Sequence, residues 1–164
     1  MEIEMWDVLD KNRVSTGRLH RRGEPLAPGD YHLVVSVWIK NSEGRYLISK
    51  RAPEIPGAGM WQCTAGSAIA GDSSLTAALR EAREELGVEL NPSMGRCLYE
   101  KIAGTAIWDV WLFTHDIDIT DIALQEGETC DAKWAAPSEI LDLYNAGVFA
   151  PGYADLPQLF EETV

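Results

Sequence analysis

Residues 66–88 read GSAIAGDSSLTAALREAREELGV, and this stretch carries a whole helix together with both of its ends. Ser73 or Ser74 can accept the free amides of a first turn, and Gly87 can close the last turn in a left-handed conformation. Between them Leu75, Ala78, Leu79, Ala82 and Leu86 recur at three- and four-residue intervals, which makes one apolar stripe for a core. At 3.6 residues per turn, Glu81, Glu84 and Glu85 fall within an arc of roughly 100° off that stripe, with Arg80 one turn before Glu84.

Two readings fit these charges on spacing alone. Neighbouring carboxylates repel and are stabilised by a cation, and hard oxygen ligands in this number favour Mg²⁺ or Mn²⁺ over softer metals. A solvated helix face with an Arg80–Glu84 pair at i, i+4 is the other reading. The order of residues adds a third consideration. The segment resembles the Nudix box, the family signature G-x5-E-x7-R-E-U-x-E-E-x-G-U with U an aliphatic residue. Gly66 takes the first position, and Arg80-Glu81-Ala82-Arg83-Glu84-Glu85-Leu86-Gly87-Val88 fills the end. Asp72 stands where the pattern has Glu, and Ala82 is smaller than the usual aliphatic residue.

The resemblance implies a fold and a set of roles. It implies an α/β/α sandwich around a mixed β-sheet, with Glu84 and Glu85 as metal ligands, Glu81 as ligand or base, and Arg80 orienting the glutamates. The Gly66 carbonyl joins the metal shell, Mg²⁺ is the expected ion and Mn²⁺ a substitute. The implied activity is Mg²⁺-dependent cleavage of a nucleoside diphosphate derivative or a related small diphosphate.

Hydrolysis of a diphosphate also needs a base for the attacking water. The loop LQEGETCDAKW, Leu124 to Trp134, offers Glu126 and Glu128, and a Glu shortly before a Trp-bearing strand recurs in related proteins; Glu128 is preferred, the alternative being that both are ordinary solvated loop glutamates. Lys50 and Arg51 are candidate cations for the substrate. His32 is a candidate substrate contact and Asp109 an additional ligand or substrate contact, each with a structural alternative: a satisfied core imidazole for His32 and a pair with a neighbouring cation for Asp109.

Upstream of the box, YHLVVSVWIKNSEGRYLISKRAPEIPGAGMW, Tyr31 to Trp61, resembles the isopentenyl diphosphate isomerase branch of the same superfamily. Isomerisation calls for a cysteine and a glutamate on opposite sides of the substrate and a histidine-rich metal site. Here Ala65 stands where the isomerase cysteine belongs, Ser67 where a histidine ligand belongs, and the upstream histidine ligand maps near Pro25. Cys63, two residues before Ala65, is a displaced acid or a small buried thiol. A non-catalytic nucleotide sensor is the further alternative, prompted by Asp72 and the unassigned base.

The 164 residues, 46% hydrophobic and 24% charged, suffice for one sizeable core, so residues 1–164 are expected to form one domain. A net charge of −12 argues against a nucleic-acid polymer as partner, and the short HRR run at 20–22 does not reverse that. No stretch has the length and apolarity of a membrane span, and MEIEMWDVLDKNR has neither a basic nor an apolar leader region. Cys63, Cys97 and Cys130 lack metal or disulfide spacing. A cytoplasmic protein with reduced thiols is expected, with a small-molecule partner and the option of a homodimer.

Along the chain the patterning predicts strands at Ile3–Leu9, Tyr31–Ile39, Arg45–Lys50, Trp61–Ala65, Leu98–Ala103, Ala106–Phe113 and Lys133–Ala135, with a second helix from Pro137 to about Tyr144. Asn41 to Gly44 is the turn of a hairpin. The acidic run Asp116 to Asp121 lacks the Gly and terminal Glu of a calcium loop and reads as exposed loop.

Overall fold

The computed structural model describes residues 2–162. Strands β1 (Met5–Leu9) and β2 (Ser15–Arg21) form a separate antiparallel hairpin. Then come β3 (His32–Lys40), β4 (Tyr46–Arg51), β5 (Trp61–Gln62), β6 (Thr64–Ser67) and the helix α1 (Ser74–Leu86). The chain continues through β7 (Gly95–Ala103), β8 (Ala106–Thr114), β9 (Thr129–Ala135), α2 (Pro137–Asn145) and α3 (Leu156–Glu162).

The main sheet is built around β3, whose run LVVSVWI is buried on both faces, as a central strand requires. Along one edge β3 runs parallel to β8 from His32↔Ala106 to Lys40↔Thr114, and β8 pairs antiparallel with β7 beyond it. On the other edge β4 meets β3 only at Lys40↔Tyr46 and then diverges to pair with β9 and β5. Strand β6 enters the gap and sets Gly66 opposite Val35 and Ser67 opposite Val34.

Helix α1 covers one face, where Ala78, Ala82 and Leu86 pack with Val35, Val37, Ile39 and Phe113. On the other face Trp38, Val110 and Leu112 pack with Ile140 of α2 and with Leu156 and Leu159 of α3. This is the expected α/β/α sandwich with a mixed sheet. Ser73 caps α1, its hydroxyl accepting the Thr76 amide while the Thr76 hydroxyl accepts the Ser73 amide. Gly87 ends the helix at φ 66°. No helix of the described residues is long and apolar enough to cross a membrane.

Several elements differ from the sequence expectations. Strand β2 was not anticipated because STGRLHR is exposed along nearly its whole length and so lacks the alternation that burial imposes. The strand read at Trp61–Ala65 is two short strands flanking Cys63. Strand β9 begins four residues earlier than Lys133, at Thr129, within the loop that carries Glu128.

Several contacts tie the β1–β2 hairpin to the rest, three of them through its main chain or the Asp7 carboxylate. Leu9 and Tyr31 exchange backbone hydrogen bonds, the Ala70 amide donates to the Met5 carbonyl, and the Gly71 amide donates to the Asp7 carboxylate at 2.8 Å. The last two anchor the hairpin to the loop that leads into α1.

Candidate active site

The charged face of α1 is organised by Arg80. Its Nη1 donates to Glu81 at 2.8 Å and to Glu84 at 3.1 Å, while Nη2 donates to the Ser67 carbonyl and to Asp72, each at 3.0 Å. Asp72, a methylene shorter than the glutamate of the signature, therefore reaches the arginine. One guanidinium thus binds the helix, the preceding loop and strand β6 together.

Glu81 and Glu85 are buried and Glu84 is exposed. Burial raises the pKa of Glu81 against the pull of Arg80. Burial pushes Glu85 up to about 8, helped by the charges of Glu81 and Glu128. Glu128 is exposed, on a loop docked onto the end of α1, where the Gln125 amide donates to the Glu85 carbonyl at 3.1 Å and the Thr129 hydroxyl at 3.2 Å. The structure thus sets Glu81 against Gly66, with Glu84 and Glu85 on the same helix and the loop of Glu128 bonded to the helix end at Glu85.

These residues suit a hard divalent cation. Glu85 Oε2 is buried with no hydrogen-bond partner, a costly arrangement that a cation would relieve. Gly66 has no side chain where one would collide with the Glu81 carboxylate, so the main chain of β6 comes right up to the acid. The donors are carboxylate and carbonyl oxygens, the chemistry of Mg²⁺ and Mn²⁺ sites. Among the described residues no three acidic, His or Cys side chains already converge on a common point, because Glu81 and Glu84 are turned toward Arg80.

A cavity of about 620 Å³ opens on the other face of β6, within the size range of small-ligand sites. The strand registers align Ser67, Val34, Trp108 and Lys101 in one row across β6, β3, β8 and β7, three strand spacings or ~14 Å of floor. The row starts at the α1 corner and ends at Lys101. Residues Ala150 to Tyr153 also line the cavity, as do Arg51, Pro56, Gly57 and Met60.

The remaining candidates are dispersed differently. Arg51 lines the cavity, with its Nε donating to the Pro56 carbonyl at 2.7 Å and its Nη1 to Gln62 at 2.8 Å. Lys50 lies outside the lining, its ammonium 5.7 Å from the Trp61 ring centroid. His32 lines the cavity and stacks on Trp6 at 4.0 Å, its Nδ1 buried without a partner. Burial, His20 and Arg22 lower its pKa, which favours the neutral imidazole. Asp109 is not in the lining. It sits on the α1-side face of β8 and accepts two hydrogen bonds from Arg13, at 2.5 and 2.7 Å. Of the two roles open to it in the sequence, pairing with a cation is the one seen.

Cys63 is fully buried, donates to the Tyr153 hydroxyl at 3.2 Å, and does not line the cavity, whereas Ala65 and Ser67 do. Arg22 and Lys101 also line the cavity but were not singled out in the sequence. Arg22 reaches it through the unanticipated hairpin, and Lys101 through the β7–β8 register, neither of which has a local sequence signal.

With this geometry in place, comparisons with known proteins define the class. The NUDIX domain family model matches residues 30–156. An uncharacterized Nudix hydrolase of Listeria monocytogenes is 41% identical over 160 residues, covering 96% of this chain and 94% of that protein. The crystal structure of DR0079 from Deinococcus radiodurans superposes with a TM-score of 0.76 at 24% identity, over 96% of this chain and 98% of the other. An isopentenyl-diphosphate Delta-isomerase of Shigella flexneri is 34% identical over 94 residues, 56% of this chain and 52% of that enzyme. The fold and the box define an α/β/α hydrolase that acts on phosphoanhydride bonds. The chain belongs to the Nudix family.

Proposed function

We propose that this chain is a Mg²⁺-dependent pyrophosphohydrolase whose substrate is a nucleoside diphosphate linked to another group, or a related small diphosphate, with Mn²⁺ as a substitute ion. The single observation that carries the proposal is the meeting, at Gly66, of the α1 carboxylates on one side and a 620 Å³ cavity on the other. A floor of ~14 Å is longer than a bare pyrophosphate and leaves room for the groups attached to it.

Glu81, Glu84, Glu85 and the Gly66 carbonyl would hold the ion, which when bound neutralises charge on phosphoryl oxygens. Arg80 keeps the glutamates in register, with Asp72 and the Ser67 carbonyl fixing the guanidinium. Glu128 accepts the proton of the attacking water; it stands near Glu85 on a loop anchored to the same helix. Arg51 and His32 face the substrate from the cavity wall, and Lys50 adds positive charge nearby. In a chain of net charge −12, these local cations and the metal supply the attraction for an anion. Asp109 has no part in this reading, since Arg13 takes up its carboxylate.

The test is a screen of small diphosphates with Mg²⁺, reading phosphate after phosphatase coupling, on the wild type and on Glu84→Gln and Glu85→Gln. Both variants are expected to fold and to lose metal-dependent turnover, because each removes a ligand charge and relieves repulsion. Undiminished hydrolysis by both would overturn the assignment.

A further inference from the structure

Three cations line the cavity, and two of them are already occupied. The Lys101 ammonium donates to both Asp155 oxygens at 3.0 Å and to the Gly152 carbonyl at 3.2 Å, which uses all three of its hydrogens. The Arg51 guanidinium is fixed by Pro56 and Gln62. Arg22 is held differently: its side chain is bonded to the Glu4 carboxylate at 2.6 Å, in a pair whose side chains are 59% and 44% exposed. Exposed pairs of this kind contribute little to stability, so exchange of the partner costs little.

The main chain around Arg22 is nevertheless fixed. Its amide donates to the Glu4 carbonyl at 3.0 Å, and the adjacent β1 strand is tied to Ala70 and Gly71 in the loop before α1. The hairpin therefore presents a weakly committed guanidinium to the cavity from an anchored strand. A guanidinium is the side chain best shaped to bind phosphate oxygens with two parallel hydrogen bonds.

We infer that Arg22 binds the diphosphate of the substrate, exchanging the Glu4 carboxylate for phosphoryl oxygens when the cavity fills. The inference rests on the hydrolase reading for its choice of ligand. Glu4 then acts as a competing anion that occupies Arg22 in the empty protein and opposes binding. The two partners of one ion pair consequently have opposite effects on affinity, which a purely structural pair does not produce.

The experiment is titration calorimetry with Mg²⁺ and α,β-methylene-ADP, a diphosphate that is not hydrolysed, beside adenosine as the phosphate-free control. Arg22→Gln is expected to weaken binding of the diphosphate about tenfold. Glu4→Gln is expected to tighten it about threefold, and the gain to vanish in the Glu4→Gln, Arg22→Gln double variant. Adenosine binding should be unchanged in all three, and thermal melting should confirm that each variant folds. Weaker binding in both single variants, unchanged binding in Arg22→Gln, an equal loss for adenosine, or no wild-type binding of the diphosphate would overturn the inference. Because no turnover is required, failure of the hydrolase reading is read separately, as a wild type that binds the analogue but cleaves no diphosphate.

Discussion

Gly66 lies so close against the carboxylate of Glu81 that a methyl group in place of its hydrogen would overlap the carboxyl carbon and both oxygens. The position is therefore constrained by the neighbouring side chain and not by backbone strain. Gly66→Ala should displace Glu81 from the α1 corner, costing ~1–3 kcal/mol of stability through overpacking. Turnover should fall further than stability explains, by about a hundredfold, because a shift of the order of 1 Å misplaces the acid. Urea unfolding and steady-state kinetics on the same variant check both; full activity would mean that Glu81 has no site role.

Asp109 and Arg13 make the second prediction. The carboxylate is 3% exposed and the guanidinium 30%, and Glu100 is a further partner of Arg13 at 2.9 Å. Arg13→Ala leaves a buried charge without its cation and should destabilise by about 2–3 kcal/mol, less than for a fully buried pair because the guanidinium is partly solvated. Asp109→Asn leaves Arg13 with Glu100 and should cost less. Denaturant melts give the order of the two. Loss of metal-dependent turnover in a fully stable Asp109→Asn would restore Asp109 to the site.

How far the sequence anticipated the fold depends on whether an element carries its own signal. Helix α1 does: its cap, its apolar stripe and its terminal glycine are all local, and the same spacing gathers Arg80, Glu81, Glu84 and Glu85 on one side, while their roles are what the resemblance to the Nudix box implies. Strand β2 carries none, and Arg22 was passed over with it. The sequence offers Asp109 a pairing with a cation as one of its roles, but the cation is Arg13, 96 residues away, and the pairing is a product of tertiary structure. The same limit applies to Lys101, which reaches the cavity only through the register of β7 with β8.

Asp155 holds the cavity-lining Lys101 in place, accepting its ammonium at 3.0 Å and the Tyr99 hydroxyl at 2.5 Å. Burial works to raise the pKa of this carboxyl, but the Tyr99 hydroxyl and the Lys101 ammonium outweigh it and hold it below its ordinary value. A depressed carboxylate pKa stabilises the fold above the unfolded value, about 3.9, and that contribution is lost as pH falls through the folded value. Asp155→Asn should therefore lower the melting temperature by about 2–4 °C at pH 7, for a loss near 1 kcal/mol. The gap from wild type should begin to narrow as pH falls below about 3.9, the unfolded carboxylate value, and should be constant above it. Melting curves from pH 7 to pH 3 test this, and a gap independent of pH would exclude the carboxylate as the source.

The last prediction concerns the isomerase relatives. Moving a double bond requires a proton donor at one substrate carbon, and the cavity offers Ala65 where that branch has its cysteine. A methyl group donates no proton, and the Ser67 hydroxyl is a poor metal ligand beside an imidazole. Cys63 does not substitute for the missing acid, because it is fully buried beneath Tyr153 and outside the cavity lining, and burial pushes its thiol up to about 12. The protein should show no interconversion of isopentenyl and dimethylallyl diphosphate with Mg²⁺ or Mn²⁺ in excess, followed by NMR of the two allylic signals. Cys63→Ala should alter stability only. Isomerisation by the wild type that Cys63→Ala removes would show that the strand exposes this thiol to substrate and that the donor has moved two residues along β5–β6.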